Sequence, residues 1–232
     1  MPMTPSPSPH RDIPAATVSR LPTYLRALHS AAAQGVTTVS SGQLATAAGV
    51  LPTQLRKDLS HLGSHGVRGV GYDVARLIVE ITSALGLGRD WPVAIVGMGN
   101  LGRALTAYSG FGTEGFHVVA VLDRDPALVG ERVAGLTVRH IDELPTLVAE
   151  LGIAIGVLAT PADGAQAAAD ALVAAGIEAI LTFAPAALAL PPGGSLRRVD
   201  LATELHVLAF LRHGGAGIGA SVSDLAKVGV AG

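Results

Sequence analysis

The spacing of apolar positions changes near residue 90, and the change divides the chain. From Thr17 onward Val18, Leu21, Leu25, Leu28 and Ala32 recur at three- and four-residue steps, the period of an amphipathic helix. Pro22 either starts that helix or kinks it, and Gly35 is placed to end it. Residues 74–86 repeat the pattern with Val74, Leu77, Ile78, Ile81 and Leu85. Between the two, Ser40 and Gln43 have capping-box spacing. Leu44, Ala45 and Ala48 follow in a short helix that Gly49 closes. Val50–Leu51 make a turn, and Pro52 fits the first position of a second helix ending near Gly63. Two short helices with a tight glycine-containing turn are a helix-turn-helix pattern, although a plain αα-hairpin with solvated charges has the same outline.

Gly86 to Pro92 reads as a boundary. Beyond it the period shortens, and apolar runs alternate with helices: VAIVG, helix 100–110, VVAVLD, LTVRHI, helix 142–151, IAIGVLAT, helix 163–175, AILTF. That alternation predicts an α/β fold with a doubly wound parallel sheet, and continuously apolar strands suit a sheet covered on both faces. After Asp200, LATELHVLAFLRH is apolar most of the way round; such a helix at a chain end is expected to insert into a partner subunit. Residues 1–12, rich in Pro and Ser, are expected to be disordered, and residues 214–232, rich in Gly and Ala, to form a flexible tail.

Charge sharpens the division. Residues 1–91 hold 8 Lys/Arg against 5 Asp/Glu, whereas residues 92–232 hold 8 against 13, so a basic part precedes an acidic one. The absence of cysteine excludes disulfides, thiolate zinc sites and thiol redox sensing. No apolar run of ~18 residues suggests a membrane span, and MPMTPSPSPHRD lacks a signal-peptide apolar region, so a cytoplasmic protein is expected.

The candidate chemistry centres on Val93 to Gly102, a β-forming run followed by Gly97, Gly99 and Gly102 in G-x-G-x-x-G spacing. In a dinucleotide-binding turn the first glycine permits the tight turn, the second lets backbone approach a pyrophosphate, and the third allows close helix–strand packing. Asp123 ends the second strand, 21 residues after Gly102, where an acid accepts a ribose 2′-hydroxyl and repels a 2′-phosphate; NAD(H) is expected over NADP(H), against which stands Arg124 next door. Ligands bind at the carboxyl ends of such strands, which adds Thr160, Pro161, Thr182 and Phe183 to the crevice. In the basic part, the second helix offers Gln54, Arg56 and Lys57, side chains that read base edges and phosphates. The stretch GSHGVRGVGYD suits a short hairpin wing presenting Arg68.

Taken together, VSSGQLATAAGV, QLRKDLSHLGSHGVRGVGYDV, VGMGNLGRAL, YSGFGTEGF, LTFAP and VDLATEL make the chain similar to the Rex family, redox-sensing transcriptional repressors of bacteria, over residues 13 to about 212. The resemblance implies a winged-helix domain over 13–88, a Rossmann-like domain over 89–199 and a domain-swapped C-terminal helix over 200–213. It implies a homodimer that binds palindromic double-stranded operator DNA and is released by NADH, reading the NADH/NAD⁺ ratio with the nucleotide as effector rather than redox substrate. DNA contacts are then expected from Ser41, Gln54, Arg56, Lys57, Ser60, Arg68 and Tyr72, and dinucleotide contacts from Gly97, Met98, Gly99, Asn100, Leu101, Gly102, Asp123, Arg124, Thr160, Pro161, Thr182, Phe183, Tyr108 and Asp200. Arg26, Tyr108 and Asp200 match the family's switch network near the nicotinamide. Thr182 stands where the family usually has Asn, and His61 and His65 stand where aromatics are common. His61 and His65 have the i,i+4 spacing of metal ligands, but Gly63 interrupts them and no third ligand is evident, so no metal site is expected. The competing class is an NAD-dependent dehydrogenase. It needs a proton donor beside the nicotinamide, and neither His117 nor His140 has an obvious carboxylate to orient it, so no enzymatic activity is expected.

Overall fold

The computed structural model describes residues 13–64, 66, 67 and 69–214. The expectations for residues 1–12, His65, Arg68 and residues 215–232 lie outside the described residues. The chain forms two compact units that divide between Gly88 and Arg89.

The N-terminal unit runs α1 (Ala15–Val18), α2 (Leu21–Ala33), β1 (Thr38–Val39), α3 (Ser41–Ala47), α4 (Pro52–His61), β2 (Tyr72–Asp73) and α5 (Val74–Ala84). Pro22 occupies the first turn of α2, where its missing N–H costs no hydrogen bond, so it starts the helix rather than kinking it. Val18 belongs to the separate α1 and is exposed, not part of the apolar stripe. The capping box on α3 is present in both directions: the Gln43 N–H donates to Ser40 Oγ and the Ser40 N–H to Gln43 Oε1. β1 and β2 pair antiparallel, Val39 opposite Tyr72, and a bridge between Val67 and Gly71 closes the loop ahead of β2. Leu21, Tyr24 and Leu28 of α2 pack with Leu44, Leu55, Leu59, Leu77 and Ile81 in one core.

The C-terminal unit runs β3 (Trp91–Val96), α6 (Asn100–Thr106), α7 (Gly110–Thr113), β4 (Phe116–Asp123), β5 (Arg132–Val133), β6 (Leu136–His140), a 3₁₀ turn (Ile141–Glu143), α8 (Leu144–Leu151), β7 (Ile155–Leu158), α9 (Ala162–Ala174), β8 (Ala179–Thr182), β9 (Ser195–Arg198) and α10 (Leu201–Gly214). The seven strands lie in the order β5-β6-β4-β3-β7-β8-β9, all parallel except the β5–β6 pair. The chain therefore winds outward from β3 on one side and returns to build β7 on the other. That reversal is the switch point at which a crevice opens beyond the strand ends. Ala94, Val96, Leu122, Leu158 and Ile180 form one core with Leu144, Leu147, Ala169 and Leu172, while Val93, Ile95, Val121 and Val157 form a second with Met98 and Val138. The expected helix 100–110 is two short helices, α6 and α7, and helix 142–151 begins with the 3₁₀ turn. β5 and β9 were invisible to periodicity: Arg132–Val133 is two residues, and in Ser195–Arg198 only Leu196 is part of a core. β6 alternates rather than running continuously apolar.

Candidate functional site

Two surfaces carry the chemistry, one on each unit. On the N-terminal unit, the outward residues of α4 are Thr53, Arg56, Lys57 and Ser60, all exposed. Arg56 donates from Nη1 to Ser41 Oγ at 3.2 Å, which ties α4 to α3, and Ser60 Oγ donates to the Lys57 carbonyl. The inward face, Leu55, Asp58 and Leu59, is buried. Asp58 is therefore not one of the solvated charges of the helix. It accepts five hydrogen bonds: Thr17 Oγ1 (3.0 Å), Arg20 Nη2 (2.7 Å) and Gln54 Nε2 (2.9 Å) reach Oδ1, and Arg20 Nε (2.6 Å) and Tyr24 Oη (2.7 Å) reach Oδ2. Burial pushes its pKa up, but those donors outweigh burial and hold the carboxyl below the usual carboxylate range. Tyr24, buried beside it, is pushed well above the usual phenol range, first by burial and then by the carboxylate. This cluster bolts α4 to α1 and α2. The sequence signal existed, since Leu55, Asp58 and Leu59 have i, i+3, i+4 spacing and share one stripe.

Two residues expected to contact DNA are engaged within the unit by this packing. Gln54 turns its amide nitrogen to Asp58 instead of outward. Tyr72 is buried, with its ring against Gly66, where a Cβ would approach the ring to 3.0 Å. Tyr72 thus shapes the loop from beneath and has little surface to offer a ligand.

On the C-terminal unit, a cavity of about 500 Å³ opens at the switch point, lined by Gly97, Gly99, Asn100, Leu101, Asp123, Arg124, Thr160 and Pro161 with small residues of α9. Gly97 has φ +100°, and a Cβ there would lie 2.8 Å from the Ala159 carbonyl oxygen of the neighbouring β7 end. A Cβ on Gly102 would drive into the Gly97 carbonyl oxygen, so α6 sits against the turn with no room for a side chain. Gly99 has open space where its Cβ would be. Asp123 Oδ2 accepts the Met98 N–H at 2.6 Å and Oδ1 accepts the Asp125 N–H at 2.9 Å; a carboxylate has lone pairs left for two more donors. Arg124 faces Asp163 at 3.5 Å and lies over Gly164, where a Cβ would come 3.3 Å from the guanidinium carbon. The hydroxyl of Thr160 is buried without a partner at the cavity edge. An orphaned donor, an acid with spare acceptors and a turn that leaves no room for a Cβ at Gly97 or Gly102 fit a phosphorylated, hydroxyl-bearing ligand.

Several expected residues contribute otherwise. The Met98 side chain is buried in the second core, so only its backbone faces the turn. Thr182 is fully buried and its hydroxyl accepts the Ala184 N–H at 3.1 Å, which takes it out of reach of a ligand. Phe183 and Asp200 line a second, smaller cavity with Leu101, Pro185 and Leu201. Asp200 caps α10, its Oδ1 accepting the Ala202 and Thr203 N–H groups, and those bonds hold the carboxyl below its usual range. Tyr108 is exposed and stacks edge-on with Phe111 at 5.1 Å; Arg26 is exposed on α2. Sequence reasoning missed Gly164, Ala167, Ala168 and Ala171, whose i, i+3, i+4, i+7 spacing makes a small-residue face on the cavity. His117 and His140 do have carboxylates, contrary to expectation: Asp90 lies 3.0 Å from His117 Nε2, and Asp142 lies 3.2 Å from His140 Nδ1. His117 stands at the start of β4, the end of that strand away from the crevice, and His140 caps the 3₁₀ turn with its ring.

Comparison with known proteins follows the same division. Residues 12–60 match a family described as a putative DNA-binding protein N-terminus, and residues 88–186 match a CoA binding domain family. The chain is 53% identical to a redox-sensing transcriptional repressor Rex of Streptomyces griseus, over 92% of this chain and 85% of that one. It is 46% identical to the corresponding repressor of Desulfitobacterium hafniense, over 85% of this chain and 94% of that one. Among solved structures, a Rex-family repressor in complex with NAD⁺ and operator DNA superposes with a TM-score of 0.81 at 33% identity, covering 94% of this chain and 99% of that one. The same repressor in complex with NADH superposes with a TM-score of 0.79, covering 88% and 96%.

Proposed function

The chain belongs to the Rex family of redox-sensing transcriptional repressors, and on that premise we propose how its own residues couple a dinucleotide to DNA. It represses transcription by binding operator DNA and releases it on binding NADH; it is a regulator and not the dehydrogenase that a glycine-rich turn alone also allows. The observation that carries this reading is one chain holding both an exposed basic face on α4 and a crevice cradled by Gly97, Gly99 and Gly102.

Arg56 and Lys57 meet phosphates and base edges in a major groove, with Ser41 and Ser60 beside them. In the crevice, the Gly97–Gly102 turn admits a pyrophosphate, Asp123 accepts the adenosine ribose hydroxyls, and Thr160 satisfies its hydroxyl on the ligand. Bound NADH supplies a neutral nicotinamide where NAD⁺ carries a positive charge. Asp200, at the second cavity, is the carboxylate placed to respond to that charge, with Tyr108 of the same unit as its alternative partner. The α10 helix leaves Leu201, Leu205, Leu208 and Phe210 about 60% exposed, which supports a homodimer in which each α10 is covered by the partner subunit. Two recognition helices then read half-sites about 34 Å apart. NADH favours a dimer in which that separation is lost. Moving such a population from 1:99 to 99:1 takes about 5.5 kcal/mol, or half of that from each of two sites. No described helix is long and apolar enough to cross a membrane, and a protein working on operator DNA belongs in the cytoplasm.

Thermodynamic linkage makes the test quantitative. NADH affinity measured with and without saturating operator should fall by the same factor by which NADH lowers operator affinity, and equal NADH affinities in the two conditions rule the coupling out. A second expectation concerns the acid at the end of β4. Asp123→Ala removes a charged acceptor worth about 1.5–3 kcal/mol, so NADH affinity in a fluorescence titration should drop about 10- to 100-fold. Unchanged affinity dismisses the ribose contact.

A further inference from the structure

The α4 helix begins on a residue that serves neither of the purposes such a position usually serves. Leu51 is the N-cap, has extended backbone (φ −75°, ψ 143°) and makes no capping hydrogen bond. Leucine is among the least favoured N-caps, because it offers the free N–H groups nothing. Nor does Leu51 pack: 72% of it is exposed, the highest value among the large hydrophobics of the described residues. Its neighbour Val50 fastens the turn by packing on the core that holds Leu55, in the manner of a hydrophobic staple, and Pro52 supplies the pre-set first helical position. The folded unit gains nothing from the Leu51 side chain, which stands at the N-terminal tip of the helix that carries Arg56 and Lys57 outward.

That tip is the part of a recognition helix that reaches the base edges, while the flanking cations hold the backbone. The major-groove floor has one apolar group, the C5-methyl of thymine. We propose that Leu51 reads a thymine methyl in each operator half-site, so that part of this chain's sequence preference comes from an apolar contact rather than a hydrogen bond. The inference rests on the assignment of α4 as the DNA-reading helix. It also accounts for Gln54, whose amide nitrogen is engaged with Asp58: with it held inward, the tip is left to Leu51 and Thr53.

The test uses the full chain and a duplex selected by that chain from a random double-stranded library. Each thymine of the selected duplex is replaced in turn by deoxyuridine, which deletes only the methyl group. Covering one methyl is worth about 0.8 kcal/mol, so at one thymine per half-site the wild-type affinity should fall about fourfold. Leu51→Ala should bind the unmodified duplex more weakly and be indifferent to that replacement. Leu51→Asn, which restores a capping side chain and so protects the helix, should be indifferent as well. If no thymine distinguishes wild type from both variants while all three bind the duplex, Leu51 does not read a methyl. If the wild-type chain selects no duplex at all, the DNA-reading assignment falls and the inference falls with it.

Discussion

Asp58→Asn is expected to cost the N-terminal unit about 3–5 kcal/mol, the usual penalty for removing one partner of a buried ion pair. The substitution keeps the size of the side chain but deletes its charge and turns an NH₂ group toward donors. Arg20, Tyr24, Thr17 and Gln54 all donate to the carboxylate, so at least one of them loses its acceptor and Arg20 loses its counter-charge. At roughly 4–8 °C per kcal/mol for a domain of this size, the transition of the N-terminal unit falls by at least about 12 °C in calorimetry. Operator affinity falls with it, because α4 is held to α1 and α2 through this cluster. NADH titration should be unaffected, since the crevice lies wholly in the other unit. A variant that keeps its melting temperature shows that the cluster does not hold the unit together.

The same carboxylate sets an acid limit. Asp58 has its pKa depressed in the folded chain below the unfolded value of about 3.9. A depressed carboxylate contributes stability that is complete above the unfolded pKa and is lost as pH falls through the folded one. Glu80 acts in the same direction: burial pushes it up, but Ser64 and Arg76 outweigh burial and hold it down. Below about pH 4 the wild-type unit should lose stability more steeply than Asp58→Asn, and the difference between the two curves isolates Asp58. Parallel curves remove it from the acid response.

The second large effect is expected at the turn after β3. Gly102→Ala places a methyl group inside the Gly97 carbonyl oxygen; the oxygen belongs to the backbone and the Cβ is fixed by it, so neither can rotate away. Relief requires α6 to move off β3, and overpacking of this kind costs about 1–3 kcal/mol. Since the displaced turn is the one proposed to receive the pyrophosphate, NADH affinity should fall by up to about 100-fold while operator binding survives. The result is a repressor that no longer lets go. Gly99→Ala separates the two functions of the glycines. Gly99 has φ −70°, which alanine adopts freely, and nothing lies within 4 Å of the added Cβ. Its methyl group enters only open space, which is the space proposed for the ligand, so binding should be lost with no change in melting temperature. Equal destabilisation by both variants contradicts this division.

The elements that could be read in the sequence were those fixed by local chemistry. The glycine spacing after VAIV, the capping box at Ser40 and Gln43, Pro52 opening α4 and the alternation of strand and helix all depend on residues within a turn or two of one another. The recognition pattern and the dinucleotide turn followed from them, and so did the family. Strand order, the two short edge strands and the fates of individual polar side chains did not. Periodicity reports which residues share a face of α4. Only packing reports that Thr17, Arg20 and Tyr24, 34–41 residues away in sequence, satisfy Asp58 there and draw Gln54 inward. The same holds for Tyr72 beneath its loop and Thr182 bonded to Ala184. A polar group can be buried wherever distant donors meet it, and those donors are brought together by the tertiary fold alone.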